Sequence, residues 1–356
     1  MNFKTELDID GPKLLINGKT TYDGITYQGF PVEGLLFNSR MVQAIMDDEN
    51  QVTRELWKYP DTGLWDPERN TNEFCAQLPV YRQYGLLGVT LGLQGGGSDY
   101  RPEVWDNARF SAFDLEGNLK KSYTNRLLRV LKAADESGMV VIVNFFYWKQ
   151  VRFIKEDCII EKCLDKATQW LLESGYRNIL VDIANECADW WGRPILAPGN
   201  MHRLIDRMKG NSLNGRRLLV SSSTGGCNDA TDKWLAAEDF SLPHGNMNSP
   251  GALKLKLLGL KKRPEYIKRP IPIIINEDST DLKNLEVAFE EYVSWGFYAQ
   301  GAGSHDPQYE VIWKRKERET TYEELSGFQV LPVNWSINTE IKRAFFSKVK
   351  EITQGK

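Results

Sequence analysis

The chain has 356 residues, 41% hydrophobic and 26% charged, with a formal net charge of −3. That profile fits a soluble globular protein long enough for one large α/β barrel or two smaller domains. The near balance of charge argues against nucleic acid, the short Lys261-Lys262-Arg263 cluster reads as a solvated helix end, and no apolar stretch approaches the roughly 20 residues of a membrane span.

Residues 1–33 read as a lead-in. Residues 14–19 form a short strand running into an Asn17-Gly18 turn, and residues 20–28 return as the second strand of a hairpin. Residues 34–356 read as one unit in which strand and helix alternate. Strand one is 34–40, ending on the polar Asn38 and Arg40. The loop that follows runs to about Asn70 and carries Trp57, Tyr59 and Trp65; long loops inside compact domains are usually functional. A helix follows over 72–84. Strand two, 88–94, ends at Gln94 and leads into Gly95-Gly96-Gly97-Ser98. No Lys-Ser/Thr pair follows that run, so it is a flexible turn at the lip of a cleft rather than a phosphate loop.

A helix over 123–137 presents Leu127, Leu128, Val130, Leu131 and Ala134, and Gly138 caps it. Strand three, 139–146, ends at Tyr147-Trp148. A helix over 159–173 closes at Gly175. Strand four is 178–186, an apolar run ending on Asn185-Glu186. Strand five is 217–223, strand six is 239–242 with His244 just beyond it, and strand seven is 270–275, ending at Asn276-Glu277-Asp278. Strand eight is 297–300, opening towards His305. Helices are expected over 201–208, 230–237, within 249–268, over 282–295 and over 338–352.

Eight strand-then-helix units fit a single (β/α)8 TIM barrel of the α/β class better than an open sheet. In such barrels the chemistry sits at the carboxyl ends of the strands. Glu186 ends strand four and Glu277 ends strand seven, so the two can face each other across the mouth. Paired carboxylates are what glycoside hydrolysis requires. One gives a proton to the leaving oxygen and the other attacks the anomeric carbon, with a carboxyl separation of about 5–5.5 Å in retaining enzymes. Their surroundings must push the two pKa values apart. Asp182 is expected inside the barrel, where it needs a partner such as Arg40 or a backbone donor.

Val181-Asp-Ile-Ala-Asn-Glu186 resembles the strand-four motif of glycoside hydrolase clan A, the retaining barrel enzymes typified by family 5 cellulases and mannanases. Pro270-Ile-Pro-Ile-Ile-Ile-Asn-Glu277 resembles the clan's strand-seven motif. The resemblance implies that Glu186 is the general acid/base, that Glu277 is the nucleophile and that Asn185 binds the substrate hydroxyl beside the cleaved bond. His244 stands where the clan often has a His or Tyr contacting the nucleophile. The clan often carries an Arg within strand two and a His at the end of strand three. Here those places read Gln94 and Asn144–Tyr147, and Arg40 is the candidate to supply the charge. The usual Trp at the end of strand eight is absent; Trp295 comes too early and reads as packing.

The expectation is therefore a retaining glycoside hydrolase cleaving β-glycosidic bonds by double displacement, exo-acting on oligosaccharides or glycoconjugates. The alternatives are an endo-acting β-glycanase, a catalytically inactive carbohydrate-binding barrel, and a metal-dependent barrel lyase or isomerase. Gln94, Tyr147, Trp148 and His305 are further substrate-binding candidates; Tyr147 and Trp148 stand equally as a sugar platform or as packing over the barrel. No metal or cofactor is implied, and the partner is a carbohydrate. Five scattered cysteines without CxxC or Cys/His spacing argue against zinc or a disulfide framework and favour a reducing compartment. Met1-Asn-Phe-Lys-Thr-Glu is not a signal peptide, which leaves a cytoplasmic protein or a secreted one with its signal removed. Oligomeric state is not legible.

Overall fold

Alternate residues on the barrel strands run from apolar to polar along the chain, and that pattern carries the architecture. Strand one reads Leu36, Asn38, Arg40; strand three reads Val140, Ile142, Asn144; strand four reads Leu180, Asp182, Ala184. Because the side-chain period of a strand is two, each set lines one face. Leu36, Val140, Ile142 and Leu180 pack together with Leu242 and Ile274 in one buried cluster, and the polar members follow at the carboxyl ends. The intervening residues, such as Val141, Val143, Val181 and Ile183, belong to the larger core shared with the helices.

The computed structural model describes residues 3–96, 107–301 and 320–355. The eight strands close into a parallel ring. Strand one (Asn38–Arg40) pairs with strand two (Gly88–Gly92), which pairs with strand three (Val140–Phe146). Strand four (Ile179–Ala184) follows, and then strand five, begun by Leu219–Ser221. Strand five breaks at Ser222, whose hydroxyl bonds both to the Ala184 carbonyl and to its N–H at 3.0 Å. The continuation, Ser223–Thr224, switches partner to strand six (Leu242–Pro243). Single parallel bridges, Ser241 to Ile273 and Ile274 to Ser294, carry the ring through strands seven and eight. Gly296–Phe297 then returns it to strand one. Strand seven is reduced to bridges because Pro270 and Pro272 have no N–H to donate; Pro272 only accepts, from Ser241.

Helices cover the outside. Pro67–Gln83 starts five residues before the expected 72 because Asp66 accepts from the N–H groups of Glu68 and Arg69, with Pro67 at the first helical position. Lys121–Glu136 buries Leu127, Val130, Leu131 and Ala134, but Leu128 is 40% exposed. Asp157–Ser174 ends at Gly175, whose φ of +80° suits a residue without a Cβ. Pro250–Lys261 leads from strand six towards strand seven, and Glu340–Thr353 is the last helix.

The lead-in contains the expected turn. Lys13–Ile16 pairs with Lys19–Thr20 across Asn17 and Gly18, both at positive φ as a type I′ turn requires. The returning strand is shorter than expected, and an additional strand, Leu7–Asp10, pairs on the other side. Leu7 and Leu14 join the apolar cluster of the barrel interior and cover the end opposite the polar residues.

Candidate active site

Strand four delivers Glu186. Its backbone stays in register until Asn185, whose N–H bonds to the Phe146 carbonyl at 2.9 Å. The next residue turns sharply: Glu186 has φ +54°, a left-handed conformation uncommon for a residue with a side chain. Its N–H is held by Ser223 Oγ at 3.2 Å. Such a conformation costs on the order of 1–3 kcal/mol and persists only where the surroundings impose it. Here it turns the carboxylate towards strand six.

Strand six delivers His244 and, two residues on, Asn246. The His244 N–H bonds to the Thr224 carbonyl of strand five at 3.0 Å, and the Gly245 N–H bonds to the Glu277 carbonyl of strand seven at 2.9 Å. The loop is thereby hung between its two neighbours. His244 is fully buried, with Nδ1 3.0 Å from Glu186 Oε1 and 3.5 Å from Glu277 Oε2. Asn246 donates through Nδ2 to Glu186 Oε1 at 3.3 Å and to Glu277 Oε1 at 2.9 Å. The donor atoms of Glu186, His244 and Glu277 lie within 4.8 Å of one another.

Arg40, at the end of strand one, is buried with Nε 2.8 Å from Glu277 Oε2, a charge contact rather than an aligned hydrogen bond. Tyr298 lies on its other side, ring centroid 5.5 Å from the guanidinium. Asp182 is buried below. Its carboxylate accepts from the Ser223 N–H at 2.9 Å and the Ser223 hydroxyl at 3.0 Å, so its partner is the strand-five backbone rather than Arg40.

The two glutamates sit in different environments. Glu277 is 5% exposed, and burial pushes its carboxyl above the usual range. Glu186 and Asp182 add to that rise, while Arg40 and His244 counter it. The Glu186 side chain is 33% exposed. Burial also pushes Glu186 up, but the His244 imidazole, the Asn246 amide and Arg40 together bring it below its ordinary value. The environments do separate the pair, in the sense opposite to the roles expected of them. The cause is that His244 Nδ1 lies nearer Glu186 than Glu277 while Glu277 is the more buried of the two.

The remaining sequence candidates divide. Asn185 is buried with Oδ1 lacking a protein partner, as are Asn246 Oδ1, His244 Nε2 and Arg40 Nη1. Gln94 instead uses both ends of its amide on the scaffold, donating to Ser111 Oγ at 3.2 Å and accepting from the Tyr147 N–H at 3.0 Å. Tyr147 is 9% exposed beside Trp148. The Trp148 ring meets Trp190 edge-on at 5.0 Å, and Trp190 is 64% exposed on the loop after strand four. His305 lies outside the described residues. Trp57, Tyr59 and Trp65 of the first loop are buried; Trp57 and Trp65 bond to Asp48 and Asp47, and Tyr59 stacks on Trp65.

Asn246 and Ser223 had no sequence signal beyond their small and polar neighbours. Asp278, next to Glu277, is buried and accepts from Trp295 Nε1 at 2.6 Å and Asn284 Nδ2 at 2.9 Å. Its pKa is pushed up to about 6, mainly by burial. Among the described residues, Glu186, His244 and Glu277 are the one group with the donor set of a metal site. Arg40 already places a positive charge on Glu277 there.

No family model matches the chain, and no curated protein matches it in sequence. Solved structures match it in fold. A glycoside hydrolase family 5 mannosidase from Rhizomucor miehei superposes with a TM-score of 0.54 at 11% identity, covering 98% of both chains. An endo-1,4-beta-mannanase from the same organism gives 0.51 at 11% identity, over 82% of this chain and 89% of its own. A putative glycoside hydrolase from Bacteroides vulgatus gives 0.53 at 12% identity over 90% of this chain, which spans 59% of that longer protein. The chain thus has the (β/α)8 fold seen in glycoside hydrolase family 5 structures.

Proposed function

We propose that this protein is a retaining glycoside hydrolase acting on β-glycosidic bonds, with Glu277 as nucleophile and Glu186 as general acid/base. The observation that carries the reading is the pair itself. Two carboxylates from strands four and seven share Asn246 and His244, with donor atoms no more than 4.8 Å apart. Carboxylates brought this close suit double displacement, whose carboxyl groups stand roughly 5–5.5 Å apart. Glu277 attacks the anomeric carbon as the carboxylate beside Arg40. Glu186 protonates the leaving oxygen, then removes a proton from the water that releases the sugar. The structural neighbours named as a mannosidase and a mannanase support a carbohydrate substrate.

In the resting arrangement burial raises the Glu277 carboxyl, while His244, Asn246 and Arg40 bring Glu186 below its ordinary value. The double displacement needs the reverse. Sugar filling the site strips water from the exposed side of Glu186 and so raises its carboxyl towards the protonated form that the acid role needs. Asn185 Oδ1, Asn246 Oδ1, His244 Nε2 and Arg40 Nη1 are buried polar atoms at the site without a protein partner, able to meet sugar hydroxyls.

Exo action on short oligosaccharides is the reading suggested by the long loops after strands one, two and eight. A second reading, endo action on a longer glycan, is favoured by one observation. The aromatics of the first loop are buried, whereas Trp190 offers exposed ring surface on the loop after strand four, edge-on to the half-buried Trp148. Turnover of activated aryl glycosides across a sugar panel tests the main reading, with a pre-steady-state burst expected. Sizing the first products from end-labelled oligosaccharides separates exo from endo. No burst and no turnover with any β-glycoside would sink the hydrolase and leave a binding barrel.

A further inference from the structure

Behind the carboxylate pair lies a cation that the chemistry above does not use. Lys256 projects from the helix Pro250–Lys261 under the loops that follow strands five and six. Its ammonium has three N–H donors, and each meets a backbone carbonyl: Gly225 at 3.0 Å, Gly226 at 2.9 Å and His244 at 2.9 Å. No carboxylate lies within ion-pair distance of it among the described residues. Lys256 is half-buried, and carbonyls rather than a carboxylate meet its charge, an arrangement that costs desolvation and calls for a reason.

The carbonyls it gathers are those that set the site. Gly225 stands so close to the acid that a Cβ there would lie 3.7 Å from Glu186 Oε1. Gly226 packs directly on the next loop; a Cβ there would overlap the Asn246 carbonyl at 1.8 Å. Asn248 reinforces the arrangement, its Nδ2 reaching the carbonyls of Gly226, Gly245 and Asn246 at 2.9, 3.2 and 3.2 Å. Met247, between the two asparagines, is at φ +66°.

We propose that Lys256 is a positioning residue for the carboxylate pair. By tying the carbonyls of Gly225, Gly226 and His244 to one point, it holds His244 Nδ1 and Asn246 Nδ2 against Glu186 and Glu277. An apolar side chain could fill the same space but would leave the carbonyls of Gly225, Gly226 and His244 untied, and a cation beside Glu186 also favours the ionised form of the pair. This rests on reading Glu186 and Glu277 as the working pair. The other charged or titratable groups around the pair are Arg40 from strand one with Tyr298 beside it, Asp182 from strand four and His244 from strand six; Asp278 from strand seven and Cys227 and Asp229 from the loop after strand five face Lys256.

The test compares wild type, Lys256→Met and Lys256→Arg by two readouts. The first is NMR titration of glutamate side-chain carboxyls labelled with ¹³C, assigned with Glu186→Gln and Glu277→Gln. The pair should titrate on the order of 0.5–1 pH unit higher in Lys256→Met and return towards wild type in Lys256→Arg. The second is turnover of an activated aryl glycoside. Lys256→Met should lose about a hundredfold in kcat with KM changed far less, the mark of misplaced groups rather than lost binding. If the wild type turns over nothing, the hydrolase reading fails, yet the titration still decides the role of Lys256. Should Lys256→Met not fold, Lys256→Gln replaces it. A folded neutral variant whose pair titrates as in wild type would overturn the proposal. So would failure of both neutral variants to fold, because Lys256 would then support the barrel rather than the site.

Discussion

Replacing Arg40 by Met removes the guanidinium in direct contact with Glu277 and keeps most of the side-chain volume. Arg40 Nε and Glu277 Oε2 are 2.8 Å apart and both residues are buried. At an effective dielectric constant of about 20 their attraction is about 6 kcal/mol. Truncating one partner of a buried pair typically costs about 3–5 kcal/mol, because the other charge is left uncompensated. Glu277 has an escape: it takes up a proton. A loss of about 3 kcal/mol then appears as a rise of about 2 pH units in its pKa, on top of the rise that burial already causes. Since Glu277 must be ionised to attack, activity falls as pH drops through that value. The acid limb of kcat/KM should therefore move about 2 units towards higher pH, while kcat/KM above the limb falls less. Arg40→Lys should move the limb only partway. The assay is the pH profile of aryl glycoside hydrolysis, with thermal unfolding followed over the same range. A folded Arg40→Met protein whose acid limb stays within about half a unit of wild type would refute the idea that Arg40 holds the charge on Glu277.

Two other perturbations follow from buried groups. Glu238 is 1% exposed, with Ser221 Oγ donating to it at 2.7 Å, and burial pushes its pKa up to about 8. A carboxyl whose folded pKa lies above its unfolded value binds its proton more tightly when folded. Its contribution to stability is full below the unfolded value near 4.5 and is lost as pH rises towards 8, a change of about 5 kcal/mol. Glu238→Gln should flatten the decline in melting temperature between pH 5 and 9; an unchanged slope would show that the group is not protonated in the fold. Gly226→Ala inserts a methyl group into the Asn246 carbonyl and must part the loops after strands five and six. Overpacking of this kind costs about 1–3 kcal/mol, and kcat should fall with it as Asn246 leaves the carboxylates. Wild-type turnover in that variant would show that the Asn246 bridge is dispensable.

Much of this was legible in the chain because two periodicities carry it. Apolar runs at strand length alternated with helical spacing, and the structure closes them into one ring. The polar residues that end strands one, four and seven identified Arg40, Glu186 and Glu277, and they meet at the mouth. What stayed hidden depends on register between strands. Ser223 serves Asp182 and Glu186 only because strand five breaks at Ser222 and changes partner, which no local pattern announces. Asn246 bridges the pair because its loop is hung between strands five and seven by backbone bonds, and a backbone bond leaves no mark on residue type. Leu128 was placed on the buried face because it is apolar, yet it sits one position off the stripe of Leu127, Val130, Leu131 and Ala134. The length of the first loop pointed to a functional role; Asp47 and Asp48 bind two of its indole N–H groups and fold the loop on itself. The order of the two glutamate pKa values was also out of reach, since it turns on which carboxylate His244 faces.

The measurement that bears most directly on the central claim is covalent trapping. An activated 2-deoxy-2-fluoro-β-glycoside, chosen from the sugars that turn over, should inactivate the protein with a mass increase of one fluoroglycosyl group. Peptide mapping should find that group on Glu277, and Glu186→Gln should still accept the label from a substrate whose leaving group needs no proton. A label on Glu186, or on any residue other than Glu277, would contradict the account.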